Sequence, residues 1–91
     1  NLGILYKTRG DLDRAEEMYR KALEINEKLG RLEGMANQYG NLGILYKTRG
    51  DMEKARGFLI QTRDIFKRVG ATHQISKTEA LIDALRDTPE S

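Results

Sequence analysis

The stretch NLGILYKTRGD at positions 1–11 recurs letter for letter at 41–51. Chance produces eleven consecutive matches with odds on the order of one in twenty to the eleventh power, so the duplication marks an internal repeat. The two copies stand 40 residues apart, and a finer rhythm runs through them: Gly10, Gly30, Gly50 and Gly70 fall twenty residues apart. A glycine just beyond a helix end takes the left-handed conformation without the steric cost of a Cβ. The series therefore predicts successive helices of about 16 to 18 residues joined by links of two or three. Charges agree with those ends. Lys7 and Arg9, Lys28, Lys47 and Arg49, and Lys67 and Arg68 lie in last turns, while Asp11 with Asp13 and Asp51 with Glu53 open the segments that follow, as the helix dipole favours.

The spacing predicts five helices, near 1–9, 12–29, 32–49, 52–69 and 73–87. Leu12, Ala15, Met18, Tyr19, Ala22, Leu23, Ile25 and Leu29 keep the i, i+3, i+4 rows of an amphipathic helix, as do Met52, Ala55, Phe58, Leu59, Ile65, Phe66 and Val69. No segment alternates in the manner of a strand. Short links make neighbouring helices antiparallel, so the expected fold class is all-α, with antiparallel hairpins stacked as a right-handed solenoid.

Bulk composition narrows the function. Sixteen Lys and Arg against fourteen Asp and Glu leave a net charge of +2, and the signs are interspersed; that is a solvated helical surface rather than a polyphosphate-binding one. The duplicated Lys-Thr-Arg-Gly invites a nucleic-acid reading, but helix C-termini attract cations anyway and no aromatic residue interleaves them. No nucleic-acid partner is expected. The chain has no cysteine, hence no disulfide, thiolate metal site or cysteine nucleophile, which fits a reducing compartment and a cytoplasmic location. Apolar runs of a few residues fall far short of the roughly 20 that a membrane helix needs, so no membrane partner is expected either. The start inside the repeated motif, without an initiator Met, reads as an excised fragment.

A repeated helical hairpin with this lettering resembles the tetratricopeptide repeat, whose pattern is W-x2-L-G-x2-Y, then A-x3-F, then P. Tyr39 stands at the Trp position, followed by Leu42, Gly43, Tyr46, Ala55 and Leu59. The first copy supplies Leu2, Gly3, Tyr6, Ala15, Tyr19 and Ala22. Gly43 and Ala55 would be small where the two helices of one hairpin cross, letting the backbones approach. The period of 40 exceeds the usual 34, and Glu27 and Lys67 replace the usual Pro. The match is therefore to the long-helix variety, similar to repeats in spindle-orientation adaptors, kinesin light chains and bacterial signalling proteins. Thr62 replaces the small residue matched by Ala22. The expected organisation is a truncated repeat at 1–30, a complete repeat at 31–70, a degenerate capping helix at 71–88 with Ile75, Ile82 and Leu85 as its apolar stripe, and a tail at 89–91.

The resemblance implies that the first helix of each repeat lines a concave face that binds a peptide or partner segment. Ile44 lies about 200° around the helix from Leu42, off the core stripe, and Ile4 repeats it. With Asn1, Lys7, Asn37, Asn41, Lys47 and Lys77 these residues form the candidate groove: amides for a ligand backbone, Ile for an apolar side chain, Lys for a carboxylate. Some members of the family clamp a C-terminal carboxylate with two Lys, two Asn and an Arg. Here only Asn41 and Lys77 match, whereas Ile4 and Leu81 replace an Asn and the Arg, so that specialised clamp is rejected. Tyr6, Tyr19, Tyr39 and Tyr46 sit at core spacing. His73 has no companion ligand, and Glu16, Glu17, Glu24 and Glu27 are interleaved by Arg20, Lys21 and Lys28 as i, i+4 pairs on a solvated face. No cofactor, metal or catalytic constellation is expected, and the chain reads as a non-catalytic interaction module with a protein or peptide ligand. The competing reading is a structural spacer or homo-oligomer formed through exposed repeat ends.

Overall fold

At Gly30, Gly50 and Gly70 the backbone enters the left-handed region, with φ of 69°, 89° and 73°, and each of these residues ends a helix. The computed structural model describes residues 2–86, with side chains from 10 to 85. Its helices are α1 (Leu2–Leu29), α2 (Leu32–Arg49), α3 (Met52–Val69) and α4 (Thr72–Arg86). The three joints close the same way. Gly50 N donates to the Lys47 carbonyl and Asp51 N to the Tyr46 carbonyl, and the same pair of bonds recurs around Gly30 and Gly70, satisfying the last carbonyls of each helix. Asp51 also caps α3, its Oδ1 accepting from Lys54 N at 3.2 Å.

Four helices stand where five were expected, and the difference lies at Gly10. The segments expected near 1–9 and 12–29 are one helix of 28 residues, and Gly10 keeps a negative φ inside it. The same eleven letters thus turn at Gly50 and run straight at Gly10. Tertiary packing decides between them. The turn at Gly50 is held by two full helices closing on each other, whereas the nine residues before Gly10 would make a two-turn helix that is marginal on its own. Carrying one Gly inside a helix costs only about 1 kcal/mol, so the unbroken helix wins.

The core lies where α2 meets α3. Leu42, Gly43, Leu45 and Tyr46 bury one face of α2 against Ala55, Leu59, Thr62 and Phe66 of α3. A Cβ added at Gly43 would fall 2.8 Å from Leu59 Cγ and 3.2 Å from the Ala55 carbonyl oxygen, so the glycine sits at the closest approach of the hairpin, as the family pattern implies. Thr62 fits without prying the pair apart: it is buried, and its hydroxyl donates back to the Phe58 carbonyl at 2.9 Å. α4 covers the far side of α3 through Ile82 and Leu85. Each helix rests chiefly on its neighbours in sequence. The outline is 43 × 31 × 18 Å, and its long dimension is about that of a 28-residue helix at 1.5 Å per residue.

The joint between α1 and α2 is built differently. Tyr46, buried at its ring, donates its hydroxyl to Glu16 Oε2 at 2.5 Å and accepts from Arg20 at 3.2 Å. Arg49 reaches Glu16 at 3.3 Å and Asp13 at 2.5 Å. Glu16 is therefore no part of the solvated face expected for it. It is half-buried, and the Tyr46 hydrogen bond, helped by Arg20 and Arg49, holds its carboxyl below the usual range against the opposing effect of burial. The expected i, i+4 pairs do form, Glu16–Arg20 at 2.9 Å and the exposed Glu24–Lys28, and Glu17–Lys21 makes another. Further along, Gly34 of α2 lies against Asn26, whose amide is anchored on the Ala22 carbonyl at 2.8 Å.

Candidate functional site

Between α2 and α4, over the back of α3, runs an open groove of about 230 Å³. Its walls follow from helical periodicity. Asn37, Asn41 and Ile44 project from α2 at intervals of four and three residues, and Gln74, Lys77 and Leu81 from α4 at intervals of three and four. The floor is largely apolar, made by Leu59 and Phe66 beside Thr62. The two hydroxyls nearby are already committed, Thr62 to Phe58 and Thr78 to the Gln74 carbonyl at 2.7 Å.

The groove's polar side chains are in the opposite condition. Among the described residues, the side chains of Asn37, Asn41, Gln74 and Lys77 take part in no hydrogen bond or ion pair. Ile44 is 47% exposed between buried Gly43 and Leu45. Amides able to donate and accept, one ammonium and an exposed isoleucine therefore surround an apolar trench with no internal partner. The volume is below the roughly 300–1,000 Å³ of enclosed small-molecule sites and suits a few side chains of a longer ligand.

Four of the residues singled out from the sequence, Asn37, Asn41, Ile44 and Lys77, come together here. Lys47 is exposed one turn beyond Ile44 and does not line the groove. The side chains of Asn1, Ile4 and Lys7 lie outside the described residues. Gln74 escaped the sequence reading. It stands three residues before Lys77, on the same face of α4, and the helical period would have found it had α4 been read as a groove wall rather than a cap. Tyr39, at the family's Trp position, is half-buried and stacks at 6.1 Å on Phe58, which in turn stacks at 5.5 Å on Tyr46; burial raises the Tyr39 phenol above its ordinary range. Tyr19 packs partly buried against the same core, and Tyr6 lies outside the described side chains.

No three His, Cys, Asp or Glu side chains gather to hold a metal among the described residues, and no helix is long and apolar enough to cross a membrane. The family model for the tetratricopeptide repeat matches residues 1–68. The chain belongs to the tetratricopeptide repeat family. Tetratricopeptide repeats generally mediate protein–protein interaction and typically serve as non-enzymatic scaffolds. Neither a curated protein nor a solved structure matches this one. The tetratricopeptide match takes in α2 and nearly all of α3, the hairpin whose Gly43–Leu59 crossing carries the family pattern, while α4 and its wall of the groove lie beyond it.

Proposed function

We propose that this tetratricopeptide chain is a non-catalytic interaction module that holds an extended peptide segment of a partner protein between α2 and α4. The observation that carries the reading is the set of unpartnered side chains, Asn37, Asn41, Gln74 and Lys77, around the exposed Ile44 and an apolar floor. The amides would engage peptide N–H and C=O groups, the trench would take an apolar side chain, and Lys77 would favour an acidic residue nearby. On the division of the chain into a repeat at 31–70 and a helix at 71–88, both walls come from helices in the first position of a hairpin. We place the module in the cytoplasm, where a cysteine-free chain suits the reducing conditions.

Selection of a displayed random-peptide library tests the reading. Peptides enriched on the native chain are expected to pair an apolar residue with an acidic one and to lose binding on the double variant Asn41→Ala/Ile44→Asp. Equal recovery on both proteins would refute it. Both positions are on the groove wall, outside the α2–α3 core, so the circular-dichroism melt should be nearly unchanged.

A further inference from the structure

Another trench runs along a different side of α3. Residues 54, 58, 61, 65 and 68 recur at intervals of four, three, four and three, so Lys54, Phe58, Gln61, Ile65 and Arg68 share one side of the helix. Leu59, Thr62 and Phe66, which floor the α2–α4 groove, each stand one residue, about 100°, further round. Two open hollows meet on the Lys54 side. One, of about 280 Å³, is walled by Arg20, Lys54, Gly57 and Phe58; the other, of about 380 Å³, by Met35, Tyr39, Ile65 and Arg68; Gln61 borders both. A ladder of rings runs beneath them, Tyr46 stacking on Phe58 at 5.5 Å and Phe58 on Tyr39 at 6.1 Å. The first hollow is open at Gly57, where a Cβ would meet nothing within 4 Å.

Charge tells what would lie there. Among the described residues, Lys54 and Arg68 pair with no carboxylate, and the Gln61 amide has no hydrogen-bond partner. Lys54 stands in the first turn of α3, where the helix dipole disfavours a cation, and its ammonium lies 5.3 Å from the centroid of the Tyr46 ring. Of the carboxylates nearby, Glu16 is held by Tyr46, Arg20 and Arg49, Asp64 by Arg63 at 3.4 Å, and Glu27 acts on the Tyr39 phenol from α1. Fourteen helical residues set the Lys54 and Arg68 backbones about 21 Å apart, which is about six steps of extended chain. We infer that this trench docks an extended segment of a partner protein that is acidic at two positions six residues apart and apolar between them. In an extended chain the residues at i, i+2, i+4 and i+6 share one side. The outer two then meet Lys54 and Arg68, the inner two enter the two hollows, and Gln61 is left for the segment's backbone.

The test uses the Asn41→Ala/Ile44→Asp chain, whose α2–α4 groove is disabled, as bait for a displayed random-peptide library. Peptides with two acidic residues six apart around apolar ones are expected to be enriched. A synthetic peptide of the enriched sequence should bind about tenfold more weakly once Lys54→Gln and Arg68→Gln are added. Both side chains are exposed and outside the core, so the circular-dichroism melt should be nearly unchanged. An absence of enriched peptides, enrichment without the acidic pair, or equal binding to the chain lacking both cations would each overturn the inference. The α2–α4 reading is judged separately, by the peptides that only the native groove retains.

Discussion

Replacing Gly43 by alanine adds one methyl group at the close crossing of α2 and α3. That carbon would stand 2.8 Å from Leu59 Cγ, 2.9 Å from Leu59 Cδ2 and 3.2 Å from the Ala55 carbonyl oxygen. Neither neighbour can give cheaply. Leu59 is 1% exposed and walled in by the core, and the oxygen belongs to helix backbone. Overpacking of this kind costs about 1–3 kcal/mol, against a gain of about 1 kcal/mol from removing a glycine inside a helix. With a rigid backbone atom among the contacts the upper part of that range applies, and a net loss of about 1–2 kcal/mol is expected. For a domain of this size each kcal/mol lowers Tm by about 4–8 °C. Gly57 is the control. It too lies within a helix of the same hairpin, but a Cβ there meets nothing within 4 Å, so Gly57→Ala should stabilise by about 1 kcal/mol. Urea unfolding monitored at 222 nm, a wavelength that follows the ~1.5 Å-per-residue helices directly, measures both. The coupling to Leu59→Ala should also show the clash relieved in the double variant. If Gly43→Ala stabilises the chain as Gly57→Ala does, the close crossing of α2 and α3 is wrong.

Three further outcomes follow from the joint between α1 and α2 and from the repeated turn. Tyr46→Phe removes the hydroxyl that joins Glu16 to Arg20 and should cost about 1–2 kcal/mol in chemical denaturation. Because the folded-state Glu16 pKa is lowered from 4.5, the unfolded chain takes up the proton first as pH drops. The stabilisation by Glu16 is thus complete above that pH and fades below it as the folded-state value is approached; Glu16→Gln should flatten this part of the stability–pH curve. Asp51→Ala deletes the cap on α3 and should cost about 1 kcal/mol, while Asp11→Ala, at the same place in the repeated motif but inside a helix, should cost nothing measurable by the same melt.

The helix ends at Gly30, Gly50 and Gly70 were legible because a positive φ is a local demand that the glycine itself announces. The core was legible for a similar reason: Leu42, Gly43, Tyr46, Ala55 and Leu59 keep one face of each helix, and burial followed that face. Ile44, Asn37, Asn41 and Lys77 could be assigned to one surface because they fall off the core stripe at helical intervals. Gly10 could not be read in the same way. Its neighbours from 1 to 11 are identical to those of Gly50, so the choice between turn and helix rests on what each segment packs against. The Glu16–Tyr46–Arg49 cluster was hidden for a related reason, since Glu16 stands thirty or more residues from Tyr46 and Arg49 and meets them only through the register of α1 on α2. Glu16 and Arg20, four residues apart, looked sufficient to each other.

The dependence of each helix mainly on its neighbours in sequence also bears on how the molecule is made. Contacts between adjacent elements close short loops, which favours rapid assembly, and a chain leaving the ribosome would bring α2 and α3 together before α4 has emerged. Ile82 and Leu85 of α4 then complete the burial of Ala55 and Leu59.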